Sequence, residues 1–359
     1  MKVYQFLNYY SPTGERPRNP YVPSLMDGIS SLSDEVEWFH GVDFIWDDRV
    51  FDMDIIHTHW LSFMKASKME VERLRQRFKE IKEKGIRIVA TVHDLEPHYS
   101  KSEEENLFYT IVYSYADIFV HLGEYSKKLF EQRHPNVQHV LIPHHVYDHE
   151  YKEIPNRKAS LRKLHLSSRK KRILCFGAFR DEEELKMVDS LATEAHKLGI
   201  EIMAPHYYTM RKWMNRYKRF KRWVKMRLRE RQVPGLRIYG WDISHELLPF
   251  FFGAADAVLI QRKKILNSGN LPLAFLMGKV CIGPNIGNVG GILKETGNPT
   301  FDPSSTTSLC QAVKEGLRLA ASGKGKQNRE YALRHWSTQT ISAEIYHLYE
   351  KVLANGKGV

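Results

Sequence analysis

What most constrains this chain is a pattern of alternation. Short β-rich runs trade places with amphipathic helical stretches from one end to the other. Strands are predicted at Val3–Leu7, Asp54–His57, Ile86–Val92, Asp117–His121 and Val140–Ile142. Helices are predicted near Ser24–Leu32, Lys65–Lys84 and Glu103–Tyr115. Strands that read as near-continuous apolar runs between helices form a parallel sheet covered on both faces. The stretch Tyr151–Lys171 is polar and basic, holds Pro155 and reads as a linker. The alternation then restarts, with strands at Arg172–Phe176, Ile200–Ala204, Leu236–Tyr239, Ala257–Ile260 and Val280–Gly283. Helices over Glu182–Leu198, Thr307–Ala321 and Glu330–Leu353 complete the second half. The reading is α/β, with two doubly wound, Rossmann-like domains whose strand carboxyl ends face a cleft. Its boundaries are 1–155, a linker over 156–171, a second domain over 172–335, and a C-terminal helix, 336–359, that packs back on the first domain. A length of 359 residues suits two domains of about 150.

Composition excludes several classes. No apolar run reaches the roughly 18–20 residues of a membrane span, and MKVYQFLNYY has no secretory pattern. Cys175, Cys281 and Cys310 fit neither a disulfide framework nor a zinc pattern, so a reducing cytoplasm is the expected compartment. The net charge of +12 is concentrated in residues 211–231, where eleven Lys or Arg face one acid, Glu230; that segment alone carries +10. With no basic surplus elsewhere, an extended nucleic-acid surface is not expected.

Residues 267–291, NSGNLPLAFLMGKVCIGPNIGNVGG, set two glycine- and asparagine-bearing turns around a strand-sized run. Ser268-Gly269-Asn270 precedes a helix whose free N–H groups suit a phosphate. Gly287, Gly290 and Gly291 allow close backbone approach or positive φ. Composition leaves two readings open: a pair of tight turns, or a backbone brought up to a ligand.

In order along the chain, these segments resemble the GT-B glycosyltransferases of glycosyltransferase group 1, or family 4. The likeness rests on Phe176-Gly177-Ala178-Phe179-Arg180, Ala255-Asp256-Ala257, Ser268-Gly269-Asn270-Leu271-Pro272-Leu273-Ala274, Gly278-Lys279-Val280 through Gly287-Asn288-Val289, and Phe301-Asp302-Pro303. In the first half it rests on Asp54 through Trp60, Thr91-Val92-His93-Asp94-Leu95 and Ile142-Pro143-His144. The sequence departs from the family in two places. The two glutamates that many members carry in the segment here spanning Asn267–Gly278 are absent. Where a lysine follows the arginine closely, this chain reads Asp181 through Glu184, and its first lysine is Lys186.

The resemblance implies sugar transfer from a nucleotide-sugar donor to a glycan or lipid-linked acceptor, as in cell-surface polysaccharide synthesis. It implies an acceptor-side first domain, a donor-side second domain, no metal and no cofactor beyond the co-substrate. The alternative is a non-catalytic sugar- or nucleotide-binding relative. Arg180, just past a strand, is a guanidinium placed to hold a diphosphate, with an ion pair to the neighbouring acids as the competing reading. Lys186 and Arg262 are further basic candidates. Ser268, Gly269, Asn270, Gly287 and Asn288 are the turn residues assigned to the donor. Thr13 and Gly14 correspond to a glycine-bearing loop that the family carries near the donor phosphates; a plain turn explains them equally. His93 and Asp94 are the candidate catalytic pair, the family implying a histidine there that contacts the donor sugar. His57 and His59 are candidates for positioning the acceptor, or for structure.

Ten of the 17 histidines lie between His57 and His149, yet no HExxH or compact His/Cys/Asp set appears, so no metal is expected. Asp52-Met53-Asp54 matches the DxD of the other glycosyltransferase fold by chance spacing. In the basic segment Trp213, Tyr217, Phe220, Val224 and Leu228 form one apolar stripe, with Arg219, Lys221, Arg222 and Lys225 among the cations around it. That is the pattern of a helix lying on an anionic membrane surface, here the inner face of the plasma membrane. A core-packed helix with a solvated basic face is the alternative.

Overall fold

The computed structural model describes residues 1–7, 19–60, 68–95, 103–208, 214–240 and 243–354. The chain divides into two compact units: Met1–Glu150 together with Trp336–Val359, and Tyr151–His335.

The first unit runs β1 (Lys2–Phe6), α1 (Tyr21–Ser30), β2 (Glu37–His40), two 3₁₀ turns, β3 (Ile55–Thr58), α2 (Lys68–Glu83), β4 (Arg87–Val92), α3 (Glu103–Tyr115), β5 (Ile118–His121), α4 (Glu124–Arg133) and β6 (Gln138–Leu141). Its six strands are parallel, in the order β2-β1-β3-β4-β5-β6. The order reverses between β1 and β3, and ligands of doubly wound sheets sit outside the strand carboxyl ends at such a reversal. The inner strands β3, β4 and β5 are buried almost throughout and were legible as apolar runs. Strand β2 is an edge strand, half exposed, and has no such signature. Asp54, the last residue of the DxD, accepts from the Lys2 N–H at the amino end of the sheet, opposite the ligand edge.

The second unit runs α5 (Arg157–Lys163), β7 (Lys171–Leu174), α6 (Glu182–His196), β8 (Ile200–Met203), α7 (Arg216–Gln232), β9 (Leu236–Arg237), α8 (Leu248–Ala254), β10 (Ala257–Leu259), α9 (Asn270–Leu276), β11 (Val280–Pro284), α10 (Gly287–Glu295), β12 (Thr300–Phe301), α11 (Thr306–Ala321) and α12 (Lys324–His335). The order is β12-β11-β10-β7-β8-β9, all parallel, with its reversal between β7 and β10.

Three expectations are corrected. The linker over 156–171 contains α5. Asn156 caps it, and Arg157 ties it down by donating to the Ala254 carbonyl and pairing with Asp256 at 3.2 Å. The helix expected over Glu330–Leu353 is broken at Trp336-Ser337 into α12 and a final helix, α13 (Thr338–Ala354). Helix α13 joins the first unit, where Ile341, Ile345, Leu348, Tyr349 and Val352 share a core with Val3, Leu25, Ile29, Ile55 and Val89. The glycine-rich turn after β11 is itself helical from Gly287 onward.

Candidate functional site

In the first unit a chain of hydrogen bonds runs from α13 to the carboxyl ends of β3 and β4. Gln5 Nε2 donates to the Tyr349 hydroxyl at 3.2 Å, so Gln5 Oε1, 2.9 Å from His59 Nε2, accepts from that ring. His59 is neutral: burial, reinforced by His57 and His93, holds its pKa well below the usual histidine value. A neutral ring that donates from Nε2 accepts at Nδ1. His59 Nδ1 lies 3.1 Å from His93 Nε2, so His93 donates from Nε2. The same hydroxyl sets His57. Tyr349 donates to His57 Nδ1 at 2.6 Å, and His57 Nε2 lies 2.7 Å from Thr91 Oγ1. Burial lowers the His57 pKa to about 3. Every member of this chain is fully or almost fully buried.

His93 is clamped sideways as well. The Trp60 ring stacks on it at 3.9 Å, and Tyr21 meets it edge-on at 5.0 Å. Asp94 is buried next to it, and its carbonyl accepts from the Tyr113 hydroxyl at 3.3 Å. The sequence pointed to His93 and Asp94 but not to their supports, because Gln5, Trp60, Tyr21 and Tyr349 converge from four separate elements. One signal was available: a glutamine in an otherwise apolar strand has to find a partner inside.

In the second unit the loops after β7 and β10 meet at the sheet reversal. Gly177 has φ +108, and its carbonyl accepts from Gln261 Nε2 at 3.1 Å. Arg262 reaches across to Glu184 Oε2 at 2.7 Å and donates to the Ala178 carbonyl at 2.8 Å. The same Glu184 oxygen accepts from the Arg180 main-chain N–H at 2.8 Å. Burial lifts the Glu184 pKa, against the pull of Arg262. Arg262 is thus committed to bracing the 177–184 loop. Arg180 is half-buried, and its Nη1 donates to the Lys264 carbonyl at 3.3 Å. Lys264 is exposed beside it on the neighbouring loop, a cation the sequence reading passed over. Lys186 is exposed on α6.

The turn residues turn inward. Asn270 donates to the Phe176 carbonyl, and Ser268 Oγ accepts from the Asn270 N–H at 3.3 Å. Gly269 stands at the N-cap of α9. Gly287 has φ +57, and a Cβ on it would fall 2.4 Å from the Ile265 carbonyl oxygen. Its conformational freedom is therefore taken up by the chain's own 265–266 backbone. Asn288 is buried, bonds Asn267 Oδ1 at 2.8 Å and gives its N–H to the Leu266 carbonyl. The N-terminus of α10 is thus partly capped by protein. Thr13, Gly14 and Trp213 lie outside the described residues.

Helix α7 is turned inside out. Its buried residue is Met226, and Arg229 on the same side pairs with Asp189 and donates to the Tyr207 hydroxyl at 3.1 Å. Arg219 and Arg222 are half-buried, with their Nε atoms buried. Tyr217 and Phe220 are 63% and 62% exposed. The core-packed alternative for this stripe fails on those numbers.

Among the described residues no cluster of His, Cys, Asp and Glu is arranged to hold a metal ion, and no helix is long and apolar enough to cross a membrane.

No sequence-family model matches the chain, and no curated protein matches it by sequence. Solved structures do resemble it. Sucrose-phosphate synthase from Thermosynechococcus elongatus superposes with a TM-score of 0.70 at 14% identity, covering 99% of both chains. HepE from Anabaena, solved with UDP and glucose, gives 0.63 at 12% identity, over 98% of this chain and 100% of that one. A protein described as a UDP-N-acetylglucosamine 2-epimerase from Listeria monocytogenes gives 0.56 at 13%, over 96% and 94%. At such identities the likeness establishes the fold: the chain has the GT-B architecture of two Rossmann-like units.

Proposed function

We propose that this chain is a glycosyltransferase that moves a sugar from a nucleotide-sugar donor to a glycan or lipid-linked acceptor without a metal ion. The observation that carries the reading is the pair of cations at the β7/β10 reversal, Arg180 and Lys264, beside a loop whose geometry Arg262 and Glu184 fix. Sugar transfer needs the leaving diphosphate neutralised as the glycosidic bond to it breaks. A guanidinium and an ammonium held on two adjoining loops do this without a divalent ion. In this reading Lys264 takes the part of the lysine missing near Arg180. His93 serves the donor sugar, and the buried chain from Tyr349 fixes which ring nitrogen it presents. The 263–270 loop without paired glutamates recognises its sugar by other groups.

A non-catalytic relative that binds the same ligand is the second reading, and the absent glutamates favour it. Nucleotide release on adding candidate donors separates the two. Arg180→Ala is expected to lose about 2–4 kcal/mol of transition-state stabilisation with the fold intact. Unchanged donor binding and turnover would remove Arg180 from the site.

We also infer that the protein works at the inner surface of an anionic membrane, attached through α7. The exposed stripe Tyr217, Phe220, Trp223 and Leu228, set among cations, supports this reading. Sedimentation with anionic vesicles at low salt, and its loss at high salt, is the test.

A further inference from the structure

One flank of α7 carries more than a diffuse positive charge. A cavity of about 370 Å³ opens there, lined by Tyr208, Met214, Lys218, Lys221, Arg222 and Lys225. Positions 218, 221, 222 and 225 fall on a single helix face. Four cations therefore share one concavity, and no acid lines it among the described residues. The ion pairs of α7 among those residues belong to Arg227 and Arg229 instead. The Arg222 Nε is buried and has no hydrogen-bond partner in the chain. A buried N–H of a permanently charged group is costly to leave unmade and is a ready donor to an incoming oxyanion. Aromatic rings hold two of the amines: Lys225 Nζ sits 4.7 Å from the Tyr208 centroid, and Lys221 Nζ sits 4.5 Å from that of Tyr217.

The adjoining face of the helix identifies the kind of anion. Next to the cavity the outward stripe presents Tyr217, Phe220 and Leu228, the last 49% exposed. A soluble phosphate would use the cations and leave this apolar surface in water. A phospholipid uses both, with its phosphate in the cavity and its glycerol and upper acyl carbons against the stripe. We propose that the α7 cavity is a binding site for the phosphate of an acidic phospholipid headgroup, with Arg222 and Lys225 as its principal donors. This deepens the membrane reading above: that reading needs only charge and an apolar stripe, whereas this one needs a built pocket.

The experiment compares two charge-matched variants of the full-length protein on vesicles of phosphatidylglycerol mixed with phosphatidylcholine. In one, Arg222→Gln and Lys225→Gln remove two of the four cations of the cavity. In the other, Arg216→Gln and Arg231→Gln remove the same charge from exposed positions off the cavity. The cavity variant is expected to lose about tenfold more vesicle affinity than its control, the scale of a lost charge-assisted hydrogen bond. Equal losses would overturn the pocket while leaving the membrane reading standing. A wild-type protein that ignores anionic vesicles at low salt would overturn both. Thermal melting of each variant confirms the fold, and Lys221→Gln with Lys225→Gln, neither bearing the buried Nε, repeats the test should Arg222→Gln unfold. Two further arms identify other ligands. Inorganic phosphate that stabilises the wild type but not the cavity variant, with no vesicle binding by either, would assign the site to a soluble anion and overturn the lipid. Salt-sensitive binding of single-stranded oligonucleotide in place of vesicles would overturn it too.

Discussion

The two units solve the same problem differently. Each buries polar side chains in and around a parallel sheet. The first unit does so with neutral partners, the Gln5, His57, His59, Thr91 and Tyr349 chain and a second histidine set around His121, 2.9 Å from His139. The second does so with ion pairs: Arg172 to Glu201 at 2.9 Å, Arg262 to Glu184, and Arg229 to Asp189. A neutral histidine network is stable only while it stays neutral. A buried ion pair is stable only while both partners remain. The two halves of one chain should therefore fail under different insults.

Acid should produce the largest difference. Burial is the leading cause of depressed pKa values of about 3 for His57 and His121 and about 4 for His145. The unfolded value is near 6.5, so below it the unfolded chain binds more protons than the folded one. Stability is complete above about pH 6.5 and falls as the pH drops toward the folded values. At pH 5 each of the three costs about 2 kcal/mol. Glu184 has the opposite sign, because its carboxyl is raised by burial, so mild acid takes nothing from the second unit through it. Hydrogen exchange read peptide by peptide should show residues 1–150 and 338–354 losing protection at pH 5 before residues 171–335. Simultaneous loss in both would refute the contrast.

Arg262→Ala should cost about 3–5 kcal/mol, because it strands the buried Glu184 carboxylate. The double change Arg262→Met, Glu184→Leu should recover most of this in a denaturant melt. If the double variant is as unstable as the single one, the pair holds the loop by geometry rather than by charge balance. In the first unit, Tyr349→Phe leaves Gln5 Nε2 and His57 Nδ1 without their shared partner, for about 1–3 kcal/mol. It should also release the His93 tautomer, visible in nitrogen-15 spectra of the ring. An unchanged ring spectrum would detach Tyr349 from His93. The smallest stability effect is expected at Lys264, which is exposed: Lys264→Ala should move the melt by no more than about 0.5 kcal/mol while weakening donor binding. Donor affinity equal to wild type would leave Arg180 as the sole cation of that edge.

Much of this was legible in the sequence, for identifiable reasons. Inner strands such as Ile86–Val92 are buried on both faces and read as apolar runs, while Glu103–Tyr115 matches α3 residue for residue. Two of the four edge strands left no trace, β2, which is half exposed, and β12, which is two residues long, while the edges β6 and β9 were read through Val140–Ile142 and Leu236–Tyr239. Helix α4 buries only Ser126 and Phe130, too little for a periodic signal. The domain boundary placed at 335/336 coincides with the break at Trp336-Ser337, but the interruption of the helix itself was not read, because both flanking segments are good helix formers and only the passage from one unit to the other demands it.

The sequence by itself determined the fold class, the carboxyl-edge positions of His93 and Arg180, and the confinement of the excess charge to one helix. These follow from local periodicity and from the order of strands and loops, which the chain writes along its length. Tertiary structure alone decided which way the side chains are used. It turned α7 so that Arg229 and Met226 face the protein while Tyr217, Phe220 and Trp223 face out. It gave Arg262 to Glu184 and Gly287 to its own neighbouring backbone. It also brought Tyr349 within 2.6 Å of a histidine 292 residues away. A partner contributed by a distant element leaves no periodic trace in either segment, so such choices become visible only once the chain has folded.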